Sequence, residues 1–292
     1  LPASNQSKRT SLDEVSMSLT KRIFLAAMCL ALGAGALDAR NVFVMPGTGG
    51  QTINVFSGDP LGTPATVNSP FGFIALARPD GGRYYVLARD ASDSLLILDQ
   101  NFNRLAAKSL GDDIRAALIT PDGRRLLVLT ATLRVFDTET GDEIVPRTSP
   151  DVGAVPVDMA VSQDSKRVFV LSPSAQRVIA IDLTSSLLST AGSVILGGGE
   201  YLGIAVGPNG LVYASLTNQV VVIDPVTVTT LGSAFGVNGL PGRLAFTPDG
   251  LRAIAVNRGI VSGSSAFVFD LATRSVTTLP TMGQTLEEIV VA

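Results

Sequence analysis

A tetrapeptide with the composition of a β-turn recurs five times along the chain, each time between two short apolar runs. Pro presets φ in such a turn, Asp or Asn binds neighbouring backbone, and Gly accepts a positive φ. The second residues of the copies are 42, 42, 45 and 40 residues apart, which indicates an internal structural repeat. The copies are Arg78–Gly81, Thr120–Gly123, Ser162–Ser165, Gly207–Gly210 and Thr247–Gly250.

Each repeat contains four runs with the composition of short β-strands. An apolar run such as Ala116–Ile119 precedes the turn, and a β-rich run such as Arg125–Leu129 follows it. A third run ends in Asp, and a weaker fourth run follows, as in Ser275–Leu279. Four short strands per unit are typical of a blade of a β-propeller. Long amphipathic helical patterns are absent after residue 40, which excludes an alternating βαβ fold. We therefore expect an all-β chain folded as a β-propeller of four-stranded blades.

The Asp at the end of each third run invites a functional interpretation as a ring of charge. Its constant place at a strand end instead predicts capping of the following turn, through hydrogen bonds from backbone N–H groups to the carboxylate. These residues are Asp99, Asp137, Asp182, Asp224 and Asp270.

The two ends of the chain predict one further blade. Asn41–Val44 and Thr52–Phe56 match the second and third strands of a repeat without its first strand, and Glu287–Ala292 matches a first strand without its turn. Together they would complete a sixth blade built from both termini. The alternative is a seven-bladed propeller, if further sequence follows the printed chain.

The repeats resemble those of the YVTN-type (WD40-like) propeller family. Tyr84–Leu87 leading to Asp99, and Val221–Asp224, are similar to the family's two strand motifs, and the resemblance covers about residues 41 to 292. It implies a propeller fold and no particular ligand, because the motif consists of strand and turn residues. The His and Trp of a WD40 signature are both missing from the chain.

The N-terminal region is typical of a secretory signal. Lys21 and Arg22 precede an apolar run over 23–32, and small residues follow at 34–36. We predict an unstructured upstream segment over 1–16, a signal peptide over 17–39 and the propeller over 40–292. The protein would then be exported to the periplasm, the cell surface or the medium. An uncleaved anchor or a buried helix is the alternative, although the run is shorter than the roughly 20 residues of a membrane span.

Composition excludes several classes of function. The chain has no His and a single Cys, Cys29, so it cannot form a Ser-His-Asp triad, a Cys-His pair or a disulfide. Its net charge of −3 and the lack of a basic patch argue against nucleic acid as a partner. We expect no cofactor, no metal, and no stable membrane span once the signal is cleaved.

The first strand of each blade should line the central channel of a propeller, with alternate residues facing it. The equivalent channel position holds Ile74, Ala116, Asp158, Gly203, Arg243 and, by extrapolation, Glu288. We predict a ligand site at this mouth formed by Asp158, Arg243 and Glu288. The alternative is an ion pair between Arg243 and Glu288, with Asp158 in solvent.

These observations favour an exported, non-enzymatic propeller that binds a protein, glycan or small molecule. An enzyme that uses carboxylates and a divalent metal, lactonase-like or quinone-linked dehydrogenase-like, is the main alternative, since propellers host many functions. A structural module of a larger surface protein is the third possibility.

Overall fold

The protein is described by a computed structural model, which covers residues 24–26, 42–45, 52–56, 65–68, 72–88, 94–111, 113–144, 151–185, 187–258 and 265–280. Within these ranges the chain forms strands and turns and no helix. Accordingly, no helix in the described ranges is long and apolar enough to cross a membrane. The expectation of an all-β chain is confirmed.

The strands form six antiparallel sheets in which chain order equals spatial order, numbered here from one to six along the chain. Sheet one contains β1 (Phe24–Ala26), β2 (Val42–Met45), β3 (Thr52–Phe56) and β4 (Ala65–Asn68). Sheet two contains β5 (Gly72–Ala77), β6 (Arg83–Ala88), β7 (Ser94–Asp99) and β8 (Arg104–Ser109). Sheet three contains β9 (Ala116–Ile119), β10 (Arg125–Leu129) and β11 (Leu133–Asp137). Sheet four contains β12 (Asp158–Val161), β13 (Arg167–Ser172), β14 (Arg177–Asp182) and β15 (Ser189–Ile195).

Sheet five contains β16 (Tyr201–Val206), β17 (Val212–Leu216), β18 (Gln219–Ile223) and β19 (Phe235–Gly236). Sheet six contains β20 (Ala245–Phe246), β21 (Arg252–Val256), β22 (Ala266–Asp270) and β23 (Val276–Leu279). In sheet three an isolated bridge between Phe136 and Glu143 stands where the other sheets have a fourth strand. Sheets two to six therefore correspond one to one with the five predicted repeats.

The repeated tetrapeptide closes the hairpin between the first two strands of each unit. In sheet three the N–H of Gly123 donates to the carbonyl of Thr120 at 2.8 Å, and Gly123 has φ of 71°. Asp122 accepts a bond from the N–H of Arg124 at 3.1 Å, which fixes the turn from within. Ser165 adopts φ of 60° at the place that Gly holds in the other copies, so this copy keeps its shape without Gly.

The Asp that ends each third strand caps the turn that follows. Asp224 accepts bonds from the N–H groups of Val226 and Thr227 at 2.7 and 2.8 Å. Asp99, Asp137, Asp182 and Asp270 make equivalent contacts two to four residues ahead. The capping interpretation of these carboxylates is confirmed.

Neighbouring sheets bury alternate side chains of the same strand. In β10, Leu126 and Val128 pack in the core between sheets two and three, whereas Leu127 and Leu129 pack in the core between sheets three and four. Two-sided burial explains why the second strands are continuously apolar, because neither face meets water. The same arrangement continues between sheets four and five and between sheets five and six.

The turns also contact one another from sheet to sheet. The ring of Pro79 lies so close to Gly123 that a Cβ on this glycine would be 3.1 Å from the proline Cδ. Pro208 packs against Gly250 in the same way. The N–H of Asp122 donates to the hydroxyl of Ser165 at 3.0 Å. Gln163 of sheet four donates to the carbonyls of Gly207 and Pro208 in sheet five, so such contacts run in order from sheet two to sheet six, in a β-propeller-like fold.

Two local features differ from the repeat as it is read from the sequence. The hairpin of sheet five is one residue shorter, because Val206 pairs with Val212 whereas Val161 pairs with Val168. In sheet one, β1 pairs with β2 and so occupies the edge that the sequence analysis assigns to residues 287–292. Those C-terminal residues lie outside the described part of the chain, and β1 lies inside the predicted signal peptide.

The capping carboxylates predict how stability depends on pH. Donors from Thr184 hold the pKa of Asp182 below its usual range, and backbone N–H groups lower those of Asp224 and Asp270. A lowered folded-state pKa stabilises the fold above the unfolded-state pKa, and this contribution disappears as pH falls through the folded value. We expect the free energy of unfolding to fall below about pH 4. When Asp182, Asp224 and Asp270 are replaced by Asn, the free energy of unfolding, measured by denaturant unfolding, should fall less steeply as the pH is lowered. An unchanged slope of this free energy against pH would contradict the prediction.

Candidate functional site

The predicted channel positions of three consecutive sheets lie side by side. The carboxylate of Asp158 in sheet four accepts a bond from the N–H of Ile204 in sheet five at 3.0 Å. A Cβ built on Gly203 would lie 2.8 Å from the Cα of Arg243, the residue at the same position in sheet six. The structure thus brings together the first-strand positions of sheets four, five and six that are equivalent in the repeats.

Asp158 and Arg243 form an ion pair that reaches across sheet five. The Nε atom of Arg243 lies 3.7 Å from Oδ2 of Asp158, and its Nη2 atom donates to the carbonyl of Met159 at 3.2 Å. The Asp158 side chain is only 17% exposed, and its Oδ1 accepts a bond from the N–H of Met159 at 2.9 Å. The alternative that places Asp158 in solvent is therefore wrong. Glu288, the third predicted residue, lies outside the described residues.

Gly203 makes this pair possible. Arg243 passes so close to β16 that any side chain on Gly203 would collide with its backbone, and sheets four and six could not share one ion pair. The residues that directly follow Asp158, Gly203 and Arg243 instead fill the cores between sheets, where Met159, Ile204 and Leu244 are buried.

A cavity of about 460 Å³ opens beside the ion pair. The cavity lies at the beginnings of β12 and β16. The residues just before β20 and those at the end of β21 complete its walls. Its volume is within the range of small-molecule sites, about 300–1,000 Å³. Its walls are Val157, Asp158, Glu200, Tyr201, Leu202, Gly242, Arg243, Val256 and Arg258.

Glu200 and Arg258 are cavity residues that the sequence analysis missed. Glu200 directly precedes β16, and Arg258 follows β21, so both lie at the same sheet ends as Asp158 and Arg243. The sequence does contain a signal, because the end of a second strand meets the beginning of a first strand in every antiparallel hairpin. The predicted positions lie one in each first strand, so they include neither Arg258, which follows a second strand, nor Glu200, which lies three residues before Gly203.

Tyr201 forms a fixed wall of the cavity. Its hydroxyl donates to the carbonyl of Gly197 at 2.6 Å, and burial raises the pKa of this phenol. Leu202 stands at a β-bulge, since Tyr201 pairs with Leu216 and Gly203 with Ser215. Bulges change the direction of a strand next to binding sites, and this one lies at the cavity wall.

A second cavity, of about 330 Å³, lies among the hairpin turns of sheets two and three. Its main cation, Arg78, is bound by Asp80 and Glu139, which raise the pKa of the guanidinium above its usual value. Within the described residues, no group of three or more His, Cys, Asp or Glu side chains is arranged to hold a metal.

Comparison with known proteins supports the fold and does not identify the site. No protein-family model and no curated protein sequence matches the chain. A functionally unknown protein from Desulfotomaculum acetoxidans DSM 771 superposes with a TM-score of 0.66 at 18% identity, over 81% of this chain and 78% of that one. Hydrazine synthase of Kuenenia stuttgartiensis superposes with a TM-score of 0.48 at 20% identity, over 58% of this chain and 49% of that one. The chain thus spans about half the length of the latter structure.

The position of Gly203 generates a test of the site geometry. Replacing Gly203 by Ala should lower the free energy of unfolding by about 1–3 kcal/mol, because the new methyl group meets the backbone of Arg243. Gly236→Ala is the matched control: it lies in the same sheet, and a Cβ there meets open space. Equal effects of the two substitutions in chemical denaturation would contradict the close approach of β16 and Arg243.

Proposed function

We propose that residues 40–292 form a six-bladed, YVTN-type β-propeller of an exported protein, which acts as a binding scaffold through the cavity at its channel mouth. The single observation that carries the proposal is the composition of this cavity. Three consecutive sheets each contribute a charged side chain to it, in Asp158, Glu200 and Arg243, and a fourth charge comes from Arg258. Concave sites with a few converging polar groups are the usual places of ligand binding.

The edge of sheet one that β1 covers supports closure of the ring by another strand. When the predicted signal peptide is removed, β1 is removed with it, and β2 loses its partner strand. An unpaired edge is costly and prone to aggregation, so another strand should cover it. Residues 287–292 have the pattern of a first strand and would fill this edge in the exported protein, giving six blades.

The arrangement of Asp158 supports binding rather than catalysis by this carboxylate. Its two oxygens accept bonds from the N–H groups of Met159 and Ile204, and Arg243 lies against the second of them. A carboxylate held in this way is a rigid part of a binding wall. A general base, in contrast, needs an oxygen that can reach a substrate proton.

The proposal predicts the composition of the mature protein. When it is expressed from Met17 with its own signal, its mass should correspond to a chain that begins near Leu37 or Arg40. Native mass spectrometry with elemental analysis should find no stoichiometric divalent metal. A stoichiometric metal would instead favour the enzyme alternative, and a mass that retains residues 17–36 would contradict export with cleavage.

Binding is measured on the same mature protein with glycan and peptide arrays. Binding should weaken in Arg243→Gln, because this side chain lines the cavity. Arg104→Gln is the charge-matched control, since Arg104 is exposed on β8, remote from the cavity. Binding that is equally strong in both variants would place the binding surface elsewhere and overturn the assignment of the cavity.

A further inference from the structure

The four charged residues of the cavity differ in whether their charged groups already have partners within the protein. Asp158 and Arg243 are engaged with each other and with backbone groups. Glu200 and Arg258 line the same cavity, and among the described residues neither charged group takes part in an ion pair or a side-chain hydrogen bond. The cavity therefore offers one available anion and one available cation.

The backbone on both sides of the cavity is firmly held. The N–H and the carbonyl of Glu200 both bond to Thr217 at 3.0 Å. The N–H of Arg258 donates to the carbonyl of Leu240 at 2.8 Å. The Nε of Arg258 lies 3.2 Å from where a Cβ on Gly242 would stand, so the guanidinium extends over the glycine next to Arg243. The two available charges thus stand on anchored backbone.

The charges of the cavity also balance. Two carboxylates and two guanidinium groups line it, so its formal charge is zero. A simple anion would be attracted by Arg258 and repelled by Glu200, and a simple cation would meet the reverse. A ligand that carries both charges satisfies both groups, because a guanidinium binds a carboxylate through two parallel bonds and a carboxylate accepts bonds from an ammonium group.

We propose that the cavity binds a small zwitterion, a molecule with a carboxylate and an ammonium group, with its carboxylate on Arg258 and its ammonium on Glu200. The inference rests on the proposed function and narrows its ligand class. The ion pair of Asp158 and Arg243 forms the fixed polar wall, and the apolar residues Val157, Leu202 and Val256 accommodate an aliphatic group. A free amino acid and a short peptide share this chemistry.

The test is isothermal titration of the mature protein with leucine and with the dipeptide leucyl-leucine, which distinguishes the two sources. N-acetyl-leucine and leucinamide each lack one of the two charges. Each should bind at least about tenfold more weakly than the tighter-binding of leucine and leucyl-leucine, which corresponds to a loss of about 1.4 kcal/mol of binding free energy. Glu200→Gln and Arg258→Gln should each weaken zwitterion binding by a similar factor. Arg104→Gln should not change it, and melting temperatures confirm that all variants fold.

Three results would overturn the inference: no binding of either zwitterion at millimolar concentration, equal binding of the capped compounds, or unchanged binding in both cavity variants. Failure here is distinguishable from failure of the proposed function. If the glycan and peptide arrays still show binding that depends on Arg243, the scaffold function stands and only the ligand class is wrong. If that binding is also absent, both proposals fail.

Discussion

The turn between the first two strands of each unit is the constraint on which the rest of this structure depends. It closes with a bond of 2.8 or 2.9 Å from its fourth residue to its first in all five copies, and that fourth residue always has a positive φ. The turn fixes the register of the hairpin, and in strands with a period of two the register decides which side chains face each neighbouring sheet. A slip of one residue would turn every core residue of a strand to the opposite face.

The contacts between turns extend this local constraint to the whole molecule. Gln163 donates to the carbonyls of Gly207 and Pro208 at 3.0 and 3.1 Å, and Arg167 donates from the same hairpin to the carbonyl of Val226 at 2.9 Å. The hairpin of sheet four therefore holds sheet five at two places, near the turn of its first hairpin and near the turn capped by Asp224. Equivalent first-strand positions of sheets four, five and six become neighbours as a result, and the cavity opens beside the ion pair that Asp158 and Arg243 form there.

The sequence allowed the period, the first three strands of each unit and the capping role of Asp to be predicted. These features depend on local chemistry that recurs: a turn needs Pro, Asp and Gly at set places, and a buried strand needs apolar residues. The partner of Arg243 could not be predicted, because Asp158 lies two sheets away. Arg243 comes near it only because Gly203, in the sheet between them, has no side chain. The pairing of β1 with β2 was missed for another reason, since its composition is also that of a signal peptide.

The central claim is that equivalent first-strand positions of neighbouring sheets meet, so that Asp158 and Arg243 form an ion pair across sheet five. A double-mutant cycle tests this claim most directly, with the free energy of unfolding measured for the wild type, Asp158→Asn, Arg243→Gln and the double variant. Residues in contact are coupled, so we expect the summed effects of the two single substitutions to differ from the effect of the double substitution by about 0.5 kcal/mol or more. Effects that add to within about 0.3 kcal/mol would contradict the ion pair and the cavity beside it.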